Sequence, residues 1–377
     1  MSNAKYYYSR RNFLKLSAGA LISAGMLGGL AGCGNAGAQG AAAGASGTAA
    51  KGGGVVNIYT WQGYVPPDVV TRFQDETGIT INYSYFSTNE EMLAKLEATK
   101  GGEYDVVLST DYSIDIANKE GLVKTLDLSR LPNIKNIDPR LRNQYYDPDG
   151  NLSIPFWISS SAILYNPAKT DLKFGTFADL ADPSLKNNVV VTDSSRDLIG
   201  TSLATIGYDF NTTDVAEIEQ VRPFLEKLRP SIKAFNTDSP EFVVTAGDAI
   251  ASFHTGAQAI AGLLEDPSLE VAYPKEATTL AIDALFVPSQ APNLDNAYTF
   301  LDWYMQGDVA AQAVEYTHYH NANITDEYRQ GIQPLVDSNS VAVIPDEILN
   351  DFVLSRSLPA DAQALYNEIW TEFKQDA

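Results

Sequence analysis

From residue 55 onward the chain alternates short β-branched runs with amphipathic stretches. The run Val55-Val56-Asn57-Ile58-Tyr59-Thr60 is nearly continuous in apolarity, as a buried parallel strand should be. A helix is predicted over residues 67–76, with Pro66 and Pro67 suited to its first turn, Val69, Val70 and Phe73 on one face, and Gly78 closing it. A second strand is predicted over residues 79–85. Asn89 is then read as the cap of a helix carrying Met92, Leu93, Leu96 and Ala98, and residues 104–108 make a third strand. Strand and helix in regular alternation predict an open α/β sheet, in which ligands sit beyond the carboxyl ends of strands. That rule selects Trp61, Gln62 and Tyr64, then Ser87 and Thr88, then Ser109, Thr110, Asp111 and Tyr112.

The grammar repeats further on. Residues 189–192 read as a strand, Asp193-Ser194-Ser195-Arg196-Asp197 as its exit loop, and an apolar helix follows through Ile206. A helix over 218–228, a strand over 249–253 and a strand-like segment over 269–273 complete the set. Two α/β lobes with a cleft between them are expected, and residues 155–165 and 281–287 look like the crossings. The expected partition is 55–158 with 282–329 for the N-terminal lobe and 159–281 with 330–377 for the C-terminal lobe.

Ahead of the folded part lies a different pattern. Ser9-Arg10-Arg11-Asn12-Phe13-Leu14-Lys15 leads into a short apolar stretch ending Leu30-Ala31-Gly32-Cys33. A basic segment before a short apolar one reads as an export signal over residues 1–32, and the paired arginines resemble those of the twin-arginine pathway. The stretch is too short and too rich in Gly and Ser for a spanning helix, which needs about 20 apolar residues. Leu-Ala-Gly-Cys resembles a bacterial lipobox, so Cys33, the chain's single cysteine, is the expected lipidation site. Residues 33–54 then form a Gly/Ala/Ser linker. Within this region Gly32, Gly34 and Gly37 match G-x-G-x-x-G, but no strand precedes them and no amphipathic helix follows, so a dinucleotide site is rejected. The expected location is extracytoplasmic, with the protein anchored to the cell membrane by lipid.

Charge changes the picture only by exclusion. The 377 residues carry 26 basic and 47 acidic side chains, a formal −21; without the four basic residues ahead of Cys33 this becomes −25. Such a surface is a poor partner for nucleic acid, and it permits a cationic ligand without requiring one. No G-x-S-x-G, Walker or H-E-x-x-H motif is present, so an enzyme is not expected, nor a cofactor. His318 and His320 would share a strand face, but two ligands without a third make no metal site.

Several ordered segments together resemble one family, the periplasmic spermidine/putrescine-binding proteins of ABC importers. The resemblance is carried by Tyr59-Thr60-Trp61-Gln62-Gly63-Tyr64-Val65-Pro66, Phe73-Gln74-Asp75-Glu76-Thr77-Gly78-Ile79, Ser87-Thr88-Asn89-Glu90-Glu91-Met92, Asn211-Thr212-Thr213-Asp214, Ala234-Phe235-Asn236-Thr237-Asp238 and Tyr273-Pro274-Lys275-Glu276 followed by Asp283. It implies a two-lobed periplasmic-binding-protein fold whose ligand, a polyamine or related small cation, is passed to ABC permease subunits. Position by position it implies Trp61 and Tyr64 as an aromatic pair, Ser109, Asp197 in place of a glutamate, Asp283, and Tyr319 near a family tyrosine. The chain departs from the family at Asp111 (tyrosine there), Ser194 (an acid), His254 and Ala281 (tryptophans), and Arg356, near a glutamine.

A polyamine needs carboxylates at its ammonium groups and aromatic walls along its methylenes. Asp111, Asp197 and Asp283 are the candidate carboxylates, with Asp111 offsetting the acid lost at Ser194; altered selectivity among cations is the expected consequence. The alternatives left open are an amino-acid-like or carboxylate-bearing ligand met by Arg356 or His254, and a ligand-sensing receptor on the same fold.

Overall fold

The computed structural model describes residues 53–276, 279–338 and 343–375. The expected signal segment, Cys33 and nearly all of the linker lie outside these residues. The strands are β1 (Val55–Trp61), β2 (Thr80–Phe86), β3 (Val106–Thr110), β4 (Ser153–Tyr165), β5 (Val189–Val191), β6 (Ile232–Phe235), β7 (Ala251–Thr255), β8 (Glu270–Ala272), β9 (Thr279–Phe286), β10 (His320–Asn321) and β11 (Val353–Leu354). The longer helices are α1 (Pro67–Thr77), α2 (Asn89–Thr99), α3 (Asp111–Lys119), α4 (Ser195–Thr205), α5 (Gly256–Glu265), α6 (Leu294–Tyr304), α7 (Gly307–Thr317), α8 (Asp326–Ser338) and α9 (Ala360–Gln375).

Along the sheet the order is β2-β1-β3-β9-β4-β7-β5-β6. The 13-residue strand β4 joins its halves: residues 153–160 pair with β9, and residues 161–165 pair with β7. Pro155, which has no N–H to give the ladder, sits at a register shift on that strand. One apolar core runs under the first half, including Val56, Ile58, Phe73, Met92, Val107, Trp157, Leu285, Phe300 and Tyr304. A second core, with Phe177, Val189, Leu198, Leu225 and Phe253, lies under the other half. This is the two-lobed α/β arrangement that the alternating pattern predicts.

Differences from the sequence reading have local causes. The cap of α2 is Thr88, whose hydroxyl accepts from Glu91 N at 3.1 Å; Asn89 is the first helical residue. The helix expected over 218–228 is two helices, Val215–Glu219 and Arg222–Leu228, because Pro223 lacks the N–H needed to continue the first. His318 takes a left-handed conformation, φ 59°, at the end of α7, so it shares no strand face with His320. Tyr328, Ile332, Ile344, Ile348 and Leu354 join the first core, whereas Ala362, Tyr366, Ile369 and Phe373 join the second, with Leu358 packed against it. The passage from the first core to the second near the C-terminus thus follows Leu354.

That passage is a strap held from both sides. β11 pairs with Thr279 and Leu280 of β9. Tyr145 of the first lobe donates its hydroxyl to Ser355 O at 3.2 Å, while Asn211 of the second donates to Leu354 O at 2.9 Å and accepts from Arg356 N at 2.9 Å. Asn211 Oδ1 also accepts from Arg196, near the start of α4.

Candidate functional site

β3 is followed directly by α3, and side chains alternate in direction along a strand. Ser109 and Thr110 therefore face opposite ways. Ser109 is fully buried, its hydroxyl 2.9 Å from that of Ser113. Thr110 stands where a helix cap would be but caps nothing; its hydroxyl donates to Asp283 Oδ1 at 2.8 Å. The pairing of β3 with β9 sets these two residues directly opposite each other. Tyr64 donates to the other oxygen, Asp283 Oδ2, at 3.1 Å. Burial pushes the Asp283 carboxyl up from its ordinary value, while the bonds from Thr110 and Tyr64 oppose that rise.

Aromatic rings surround this carboxylate. Tyr64 lies 5.5 Å from Tyr319 and 6.3 Å from Trp61, centroid to centroid, and Trp157 lies 6.3 Å from Tyr319. The Trp157 indole donates to Tyr64 O at 3.3 Å and fixes the loop after β1. The indole N–H of Trp61 is buried without a partner among the described residues. A cavity of about 450 Å³ is lined by Trp61, Gln62, Tyr64, Tyr85, Ser87 and Thr110.

The floor of the site follows from register. Asp283 pairs with Trp157, Ala281 with Ser159, and Ser161 with Thr255 of β7, so these rows share one face running from the first lobe to the second. β5 lies next to β7, and after β5 come Ser194 and Asp197. Ser194 caps α4, its hydroxyl accepting from Asp197 N at 3.2 Å. Asp197 is half-buried, and desolvation raises its carboxyl, opposed by Ser194 and Arg196.

Asp111, His254 and Arg356 are not where the sequence reading wanted them. Asp111 is 2 % exposed and accepts from Tyr112 N at 2.6 Å and, more weakly, from Ile282 N at 3.5 Å. Its carboxylate thus accepts from the backbone at the end of the β3–β9 ladder and is buried instead of exposed at the strand end. Burial lifts it to about 8; the Tyr112 bond opposes this and the Asp283 charge adds to it. His254 is 2 % exposed and has both nitrogens engaged, 2.8 Å from Ser252 Oγ and 3.0 Å from Thr255 O. A carbonyl only accepts, so Nδ1 carries the proton and Nε2 accepts from Ser252. Burial lowers this imidazole to about 4, opposed by the Thr255 bond, so it meets a ligand neither as a cation nor by direct contact. Arg356 is exposed on the strap, its guanidinium 5.5 Å from the Tyr145 ring centre. It borders a separate cavity of about 540 Å³ with Gln144, Asp209 and Asn211.

The structure thus brings together Trp61, Tyr64, Asp283 and Tyr319, with Ser194 and Asp197 across the floor, and leaves Ser109, Asp111 and His254 buried. Thr110, reached only by the strand-end rule, joins Tyr64 in donating to Asp283. Among the described residues no group of three or more His, Cys, Asp or Glu is placed to hold a metal, and no helix is long and apolar enough to cross a membrane.

Known proteins resemble this chain over most of its length. The spermidine/putrescine-binding periplasmic protein of Salmonella typhimurium is 34% identical over 318 residues, 84% of this chain and 90% of that protein. The putrescine-binding periplasmic protein PotF of Escherichia coli is 30% identical over 314 residues, 75% of this chain and 84% of that one. Among solved structures, the spermidine/putrescine ABC transporter substrate-binding protein PotD of Streptococcus pneumoniae superposes with a TM-score of 0.75 at 27% identity, covering 85% of this chain and 98% of that chain. Residues 68–333 match the family described as bacterial extracellular solute-binding protein. With the two-lobed sheet and a carboxylate niche at its strand ends, the chain belongs to the bacterial extracellular solute-binding protein family.

Proposed function

We propose that the protein captures a linear polyamine in its interlobe cleft and delivers it to the permease of an ABC importer. The observation that carries this reading is the buried Asp283 carboxylate, oriented by Thr110 and Tyr64 and walled by Trp61, Tyr64 and Tyr319. An ammonium ion takes a carboxylate partner, and the adjoining methylenes and charge suit aromatic faces. Asp197 across the floor supplies the acceptor for a second ammonium once the lobes close. The names of the relatives and of the superposing structure support the same ligand class.

In this reading the first lobe comprises residues 55–158 and the chain from 279 through the strap, and the second lobe the intervening residues with α9. The signal segment directs export, and a lipid on Cys33 holds the domain at the membrane surface. Isothermal calorimetry with putrescine, spermidine and an amino-acid panel tests the ligand. Saturable binding of either amine supports the proposal; binding confined to amino acids overturns it. Release of a Cys33→Ser variant from the membrane fraction tests the anchor.

A further inference from the structure

β9 has one exposed residue, Ala281, among seven that are buried. It lies on the same face as Asp283 and two residues along the strand, a rise of about 6.6 Å. Its cross-strand partner on β4 is Ser159, which is half-buried. The Ser159 hydroxyl finds no protein partner among the described residues, whereas the hydroxyls of Thr110 and Thr255 on the neighbouring rows are engaged with Asp283 and Gln258. With only a methyl group at Ala281, nothing from β9 covers that hydroxyl. A free acceptor therefore stands in the open floor, one row in from a buried carboxylate, with Asp197 beyond it.

We propose that Ser159 is a ligand contact, its hydroxyl accepting a hydrogen bond from the inner ammonium of a linear triamine whose end is held at Asp283. The inference rests on the polyamine reading. An extended four-carbon arm spans about the rise of two strand residues, so an end anchored at Asp283 puts the next nitrogen over Ser159. No carboxylate lies on that row, and a serine hydroxyl is the acceptor that remains. The aminopropyl arm then continues over Ser161 toward the start of α4. Recognition of the inner nitrogen is thus separate from recognition of the ends.

The test compares spermidine with octane-1,8-diamine, which has the same length but a methylene in place of the inner nitrogen. Calorimetry on the unsubstituted protein should give spermidine at least about tenfold tighter binding, the order expected for one hydrogen bond to a charged group. In Ser159→Ala the gap should shrink to about threefold or less through loss of spermidine affinity, with octane-1,8-diamine unchanged within about twofold. Ala281→Leu, which covers the hydroxyl from β9, should lower spermidine affinity in the same selective way. Equal weakening of both ligands, or an unchanged gap in Ser159→Ala, overturns the role of Ser159 and leaves the polyamine reading standing. Failure of the unsubstituted protein to bind spermidine at all overturns that reading, and this inference with it.

Discussion

Thr110 Oγ1 donates to Asp283 Oδ1 at 2.8 Å from directly across the β3–β9 ladder. With the Tyr64 hydroxyl on the other oxygen, both sides of the carboxylate are fixed by neutral donors, which favour the charged form that burial disfavours. Thr110→Val and Tyr64→Phe should therefore raise the Asp283 carboxyl further. Because binding of a cation needs the ionised form, ligand affinity in each variant should begin to fall at a higher pH than in the unsubstituted protein as the solution is acidified. Calorimetric titrations across pH 4–8 check this; superimposable pH profiles would refute the orienting role.

Asp283→Asn keeps the shape of the niche and removes its charge. Leaving a buried cation without its partner costs about 3–5 kcal/mol, so polyamine affinity should fall by at least about two decades. The melting temperature should hold or rise in the same variant, since a buried anion is no longer desolvated. Calorimetry and thermal unfolding read the two effects separately.

Asp111 bears on stability instead of capture. Its carboxyl is raised from 3.8 to about 8, so between those values the folded protein holds a proton that the unfolded chain releases. Its contribution to stability is present at low pH and declines as pH rises through that window. Denaturant unfolding from pH 5 to pH 8 should show a downward slope that is reduced in Asp111→Asn. An identical slope in the variant would assign the effect elsewhere.

His254 works in the opposite direction. With its value lowered from 6.5 to about 4, the folded state keeps the ring neutral while the unfolded state protonates, so stability falls as pH drops from 6.5 toward 4. His254→Gln should flatten that acid limb, read by the same unfolding titration. An unchanged limb would contradict the buried neutral ring.

The strand and helix order was legible in the sequence because apolar periodicity reports burial, and burial is what forms the elements. Trp61 and Asp283 were legible as well, the one from its strand-end position and the other through family resemblance. The orientation of neighbouring residues was not. Ser109, Thr110 and Asp111 are consecutive, and which of them faces the cleft depends on the register with β9, a partner more than 170 residues away. His254 failed for the same reason: along β7, Thr255 joins the row with Ser161, and its neighbour turns to the other face. The free hydroxyl of Ser159 became visible only when its row was assembled.

Asn211 grips the strap with its Nδ2 on Leu354 O and its Oδ1 on Arg356 N. Asn211→Ala should speed hydrogen exchange at the Arg356 amide and lower the melting temperature modestly, since each bond contributes about 0.5–1.5 kcal/mol. Unaltered exchange at Arg356 would mean that the strap is held by β11 and Tyr145 alone.

β4 crosses from one lobe to the other as one continuous strand, handing its partner from β9 to β7 between Ser160 and Ser161. A strand hydrogen-bonded on both sides of the crossing behaves less like a door hinge than like a leaf spring. Closing the cleft then has to flex a sheet in which Ser159 and Ser161 flank the change of partner. In the proposed binding mode the floor residues that meet the ligand lie on the same stretch of strand that closure has to flex, so a substitution there is expected to alter both what is held and how readily it is let go.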